Sequence, residues 1–249
     1  MYRSLDSEKI VATVGTLSKR IDERFPDSGL SRVCRELSAV AGESQKRSAW
    51  IARPQRTLRI ITWLVVTLMI AGLAVVLANS ALPRGGVDLV GLVQVSEAGL
   101  NITILLGAAA LFLFTAEGRV KRARALKAIH ELRALAHVID MHQLTKDPDR
   151  LLARGTETPS SPKQNLNASE LVRYLDYCSE MLSLTGKLAA LYVQKFDDPV
   201  ALAAVNDVEQ LTTGLSRKIW QKIMILNSIP AKEFEPAPKS RPPRARGAA

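Results

Sequence analysis

Apolar residues along this chain fall into two distinct patterns. From Ile60 to Leu82 the sequence IITWLVVTLMIAGLAVVLANSAL runs for 23 residues without an ionisable side chain. From Gly99 to Ala116, GLNITILLGAAALFLFTA adds 18 more. Both are apolar on every side, which predicts helices with no single buried face. At 1.5 Å per residue the first reaches about 34 Å and the second about 27 Å, against a hydrocarbon layer of about 30 Å. The rest of the chain is too small to enclose both in a soluble core. Two membrane spans are therefore predicted, near 60–82 and 99–116, with an outside loop over 83–98. The small-residue sequence LANSA imitates a signal-peptide cleavage site, but 59 residues precede the run. That is too long for the leading region of a signal peptide, so the run reads as an anchor.

Elsewhere the apolar positions recur every three or four residues. Ile10, Val14, Leu17 and Ile21 predict an amphipathic helix closed by Phe25-Pro26. After the turn PDSGLS, a second stripe through Leu30, Val33, Cys34, Leu37 and Val40 continues weakly toward Trp50 and ends before Pro54. Residues 1–57 thus read as a helical pair, and 58–116 as the membrane hairpin. Beyond the second span, Ile129, Leu132, Ala136 and Ile139 carry a heptad-like, coiled-coil-type stripe. The only interruption before Asp147-Pro148 is Gly118, so the membrane helix is expected to project about 40 Å further.

Residues 146–164, rich in Pro, Ser, Thr and Gly, predict a loop. Asn167 and Glu170 have the spacing of a capping box, which opens a helix bearing Leu171, Leu175, Cys178, Leu182 and Ala189. Asp198 caps the next helix, with Pro199 in its first turn and a stripe through Ala204, Val208, Leu211, Leu215, Ile219, Ile223 and Leu226. The turn between these helices is so short that they must lie antiparallel. With the helix over 117–144 they predict a three-helix bundle that the N-terminal pair can join, occupying 117–230. The tail, 231–249, has four prolines and five cations against two acids, and too little apolar content to fold.

Charge sets the expected orientation. Lys46, Arg47, Arg53, Arg56 and Arg59 precede the first span, and Arg119, Lys121, Arg122, Arg124 and Lys127 follow the second. Only Arg84 lies between them, so both termini are expected to be cytoplasmic, as in a bacterial inner-membrane protein. Arg53, Arg56, Arg59, Arg119, Lys121, Arg122 and Arg124 are the membrane-flanking cations, and the anionic headgroups of the lipid bilayer are the expected partner of the basic tail, whose alternative role is solubility. A net charge of +10 and a pI near 9.9 agree with that. Aromatics are 5% of residues, too few for a base-stacking platform, and nucleic acid is not an expected partner. Two cysteines, Cys34 and Cys178, both on apolar stripes, read as buried thiols.

Polar and small residues near the second span raise a second possibility. Gln94, Glu97 and Asn101 share one helical face, either as a wetted helix end or as the lining of a pore mouth. Gly99, Thr103 and Gly107, like Ala74 and Ala78 in the first span, form rows that let helices approach closely, within the hairpin or in a homo-oligomer.

All three histidines, His130, His137 and His142, lie within KAIHELRALAHVIDMHQLTKDP. A helix chelates one ion with residues three or four apart. His130 and His137 stand about 10.5 Å apart along the axis, and His142 points about 140° away from His137. Only His137 with Asp140 has chelating spacing, and a metal site needs more ligands than these two. The cluster therefore reads as structural. His142 is expected to complement the helix dipole as a cation, Asp140 to bond His137, and His130 to meet acidic neighbours. No phosphate loop, nucleophile elbow, paired cysteine motif or HExxH is present. The expectation is an all-α membrane protein without a cofactor: a two-helix transmembrane hairpin with a cytoplasmic bundle of long antiparallel helices. Its expected role is as a docking or assembly platform for a protein partner; the alternative is an oligomeric pore.

Overall fold

The computed structural model describes residues 4–53, 56–79, 89–148, 159–160 and 166–228. Among the described residues the chain is all-helical, with six helices and no strand. The expected tail over 231–249, most of the expected loop over 146–164 and part of the outside segment over 83–98 lie outside them.

The first helix, α1, spans Ser7–Arg24, and Asp6 caps it by accepting from the backbone N–H groups of Glu8 and Lys9. Its buried face is Ile10, Val14, Leu17 and Ile21, the stripe read from the sequence. Phe25 and Pro26 stop it, and Asp27 adopts the left-handed region at φ 54°, which a short polar side chain tolerates. Ser28 then caps α2, Gly29–Ala52, by accepting from the Ser31 N–H.

Helix α3 spans Arg56–Asn79 and α4 spans Leu89–Leu144. These two are antiparallel, since Trp63 near the start of α3 meets Phe114 deep in α4, edge to face with ring centroids 5.7 Å apart. At 56 residues α4 is about 84 Å long and passes Gly118 without a break. Its two parts have different surroundings. Ile104, Leu105, Leu111 and Phe112 are exposed, whereas Ala125, Ile129, Leu132, Ala136 and Ile139 are buried. The change in hydrophobic pattern after Ala116 thus marks where α4 enters a protein core.

Helix α5, Ala168–Leu191, opens with the complete capping box: Asn167 Oδ1 accepts from the Glu170 N–H, and Glu170 accepts from the Asn167 N–H. Asp198 caps α6, Pro199–Asn227. The core is contiguous over α1, α2, the distal half of α4, α5 and α6. Helix α5 is its centre, packed against each of the other four. The N-terminal pair is fixed to α5 by Phe25, edge-on to Tyr174 and Tyr177, and by Arg20, whose guanidinium donates to both Glu180 carboxylate oxygens at 2.9 and 3.3 Å. A buried Tyr192 hydroxyl donates to Ser44 at 2.9 Å, joining the end of α5 to α2.

The histidine stretch forms the distal end of this bundle. His130 and His137 are exposed, and Asp140 accepts from Gln143 at 2.5 Å in place of His137. Among the described residues no group of three or more metal-ligating side chains gathers. His142 is half-buried against Gly29 at the start of α2. Burial lowers its pKa, and the charges of Arg32 and Lys146 lower it further. The cation expected at this helix end is Lys222 of α6, whose ammonium donates to the Gln143 and Lys146 carbonyls at 2.8 and 3.1 Å.

A histidine with a depressed folded pKa contributes stability above its unfolded pKa of about 6.5, and that contribution is lost as the pH falls below it. Unfolding free energy measured by denaturant titration should therefore drop as the pH falls below about 6.5. His142→Gln is expected to flatten that drop.

Candidate basic collar

Where the apolar run of α4 gives way to charge, cations of α2 and α4 meet around one cleft. Of the flanking cations on α4, two are used internally. Lys121 pairs with Glu117 at 2.9 Å, and both side chains are largely buried. Arg122 reaches across to Asp198 at 2.7 Å.

Asp198 divides its oxygens between two tasks. Oδ1 accepts from the N–H groups of Val200 and Ala201, capping α6, while Oδ2 accepts from Arg122. Burial works to raise its pKa. The Arg122 hydrogen bond, the two backbone donors and the Arg122 charge outweigh it and hold the carboxyl below its ordinary value. A depressed carboxylate stabilises the fold above its unfolded pKa of about 3.9, and that contribution disappears as the pH falls through the folded value. Asp198→Ala should cost about 2–3 kcal/mol, losing a cap and a charge-assisted bond whose partner is partly solvated. Asp198→Asn keeps a capping oxygen and should remove the acid-dependent part, as followed by denaturation below pH 5.

Two other cations on α4 lie over aromatic rings. The Arg119 guanidinium sits 4.0 Å from the Phe112 ring centroid and donates to the Phe112 carbonyl at 2.7 Å. The Arg124 guanidinium sits 3.8 Å from the centroid of Trp50, bridging α4 to the end of α2. Beside that bridge is a cleft of about 450 Å³ lined by Lys46, Arg47, Trp50, Ile51, Arg124 and Lys127. Arg47 is held by two carboxylates, Glu131 at 2.5 Å and Glu43 at 2.6 Å. Among the described residues no carboxylate pairs with Lys46, Arg124 or Lys127. On α3, Arg56 is exposed, as is Arg53 just before it; the Arg59 side chain lies outside the described residues.

The other candidate positions lie on the apolar part of the pair. Glu97 and Asn101 are exposed, and the Gln94 side chain lies outside the described residues. Gly99, Thr103 and Gly107 are exposed as well. Among the described residues, a Cβ added at either glycine meets no neighbouring atom within 4 Å, so no close approach is made there at either glycine. Ala74 is exposed, and the Ala78 side chain lies outside the described residues.

Among the described residues one helical segment, Gly99–Leu144, is long and apolar enough to cross a membrane by length and composition, and none of its apolar window is buried. The corresponding part of α3, Ile60–Gly72, is shorter. Sequence reasoning singled out the collar cations by their position but missed Trp50 and Asp198 as the partners of Arg124 and Arg122. Trp50 carried a weak signal, as the last apolar position before Pro54. No family model, curated protein or solved structure matches this chain.

Proposed function

We propose that this chain is a non-enzymatic integral membrane protein. In this reading α3 and α4 cross the bilayer as a hairpin, both termini are cytoplasmic, and the five-helix core is a docking or assembly platform. One observation carries the reading: a helix that is apolar and unburied over its first half continues without a break into a packed core. In water such a surface is a large exposed apolar patch, which soluble monomers rarely tolerate. In lipid it costs nothing, and α4 becomes a rigid stalk that holds the bundle at the surface. The five-and-five-against-one distribution of cations supports cytoplasmic termini.

The test is topology followed by capture. Single cysteines introduced at Ser4 and at Ser228, in a chain lacking Cys34 and Cys178, should both be labelled only after the inner face is opened. Labelling of either from outside in intact cells would end the reading. Cross-linking in native membranes should then trap partners at the bundle, and trapped partners that contact only α3 and α4 would remove the platform role.

A pore is the second reading, favoured by the exposed Glu97 and Asn101 one turn apart on α4. It predicts ion currents in planar bilayers that Glu97→Ala alters. Bilayers that stay silent with the reconstituted protein would exclude it.

A further inference from the structure

The cleft between α2 and α4 has the composition of an anion site. Lys46, Arg47, Trp50 and Ile51 project from one face of α2, at spacings of one, three and one. Arg124 and Lys127 face them from one turn of α4. The two carboxylates nearby, Glu43 and Glu131, both bond Arg47 and so serve to hold one wall. Three cations are left around a cavity of about 450 Å³ without a carboxylate partner among the described residues. Like charges gathered around a cavity repel one another, and the arrangement is relieved when an anion enters.

The floor of the cleft is apolar. Ile51 is 2% exposed, and the half-buried Trp50 ring is held by the Arg124 guanidinium over its face. A tryptophan edge beside lysines and an arginine suits a ligand with a charged end and an apolar end. The location agrees with this. Arg124 is about 12 Å along α4 from Ala116, where the apolar run stops, and side chains of a helix lean toward its N-terminus. For α4 that direction is toward the apolar run. The α2 wall ends at Ala52, a few residues before α3 begins.

We propose that this cleft binds the phosphoryl group of an anionic lipid headgroup, with Lys46, Arg124 and Lys127 as the charge partners and Trp50 as the apolar wall. The proposal rests on the membrane reading above. It differs from a diffuse attraction of the collar to lipid, because it names three cations and leaves out Arg53 and Arg56, which are exposed and do not line the cleft.

The test uses the full chain in nanodiscs and native mass spectrometry of the lipids retained after release. Discs of phosphatidylcholine with about one third phosphatidylglycerol are compared with phosphatidylcholine alone. The unaltered chain should keep phosphatidylglycerol, and Lys46→Gln with Lys127→Gln should reduce retention about tenfold or more. Arg53→Gln with Arg56→Gln removes the same charge outside the cleft and should leave retention within about twofold. An equal loss in both variants would overturn the site and leave only diffuse attraction. A second arm titrates inorganic phosphate against Trp50 emission in a Trp63→Phe, Trp220→Phe chain. A phosphate response without phosphatidylglycerol retention would overturn the lipid as occupant. Recovery of every variant in discs of phosphatidylcholine alone is scored separately. Failure there strikes the membrane reading, whereas failure of retention alone strikes the cleft.

Discussion

Replacing Leu105 by Arg is expected to send the C-terminal bundle to the wrong side of the membrane in most molecules. Leu105 lies within the apolar run of α4 and is 69% exposed. In a soluble protein an exposed Leu→Arg change is nearly neutral, within about 0.5 kcal/mol. At the centre of a membrane helix the same change costs about 3 kcal/mol, more than a hundredfold in the insertion equilibrium. The run is only 18 residues long, so no alternative register is available to carry the charge out. Helix α3 should still anchor the chain, and the bundle would then follow α3 to the outer face. A reporter fused to the C-terminus, active on one side only, reads the change directly. An unchanged cytoplasmic signal from the Leu105→Arg chain would mean that this segment never met lipid.

The second large effect is expected in the core. Leu182 is fully buried in α5, the helix that contacts every other part of the bundle. Leu182→Ala should cost about 2–5 kcal/mol, the range for removing a buried leucine and leaving a cavity. Cys178, one turn away, provides the readout. Its side chain is fully buried, and burial raises its thiol pKa to about 12, so it reacts only when the bundle opens. In a Cys34→Ala background, labelling of Cys178 should accelerate about 30-fold or more in the Leu182→Ala chain. Leu202→Ala on α6 is the matched control. That leucine is 46% exposed, and its loss should change the rate by no more than about threefold. Comparable acceleration in both variants would contradict α5 as the centre of the core.

Much of this architecture was legible along the chain because local rules decide it. The capping box at Asn167, the Asp198-Pro199 start of α6 and the stripe of α1 all depend on residues within one or two turns of each other. The histidine stretch shows the opposite situation. Spacing alone offered no chelating trio there, and it misassigned the cation at the end of α4. That group is Lys222, 79 residues from Gln143, whose carbonyl it bonds. His142 is instead held half-buried against Gly29, and no local pattern places those two residues together.

The collar divides in the same way. Counting cations located it, because a charge next to an apolar run is a feature of the sequence itself. Counting could not tell Arg122, bound to Asp198 across 76 residues, from Lys127, which faces an open cleft. The sequence by itself determined most of the helices, the caps of α5 and α6 and the place where α4 changes from apolar on all sides to apolar on one. Those properties follow from periodicity and near-neighbour chemistry. Only the tertiary structure decided that five helices share one core, which cations are neutralised, and that Arg124 and Trp50 flank a basic cavity. Each of those depends on contacts between residues far apart in the chain, whose free energy appears only when the helices pack.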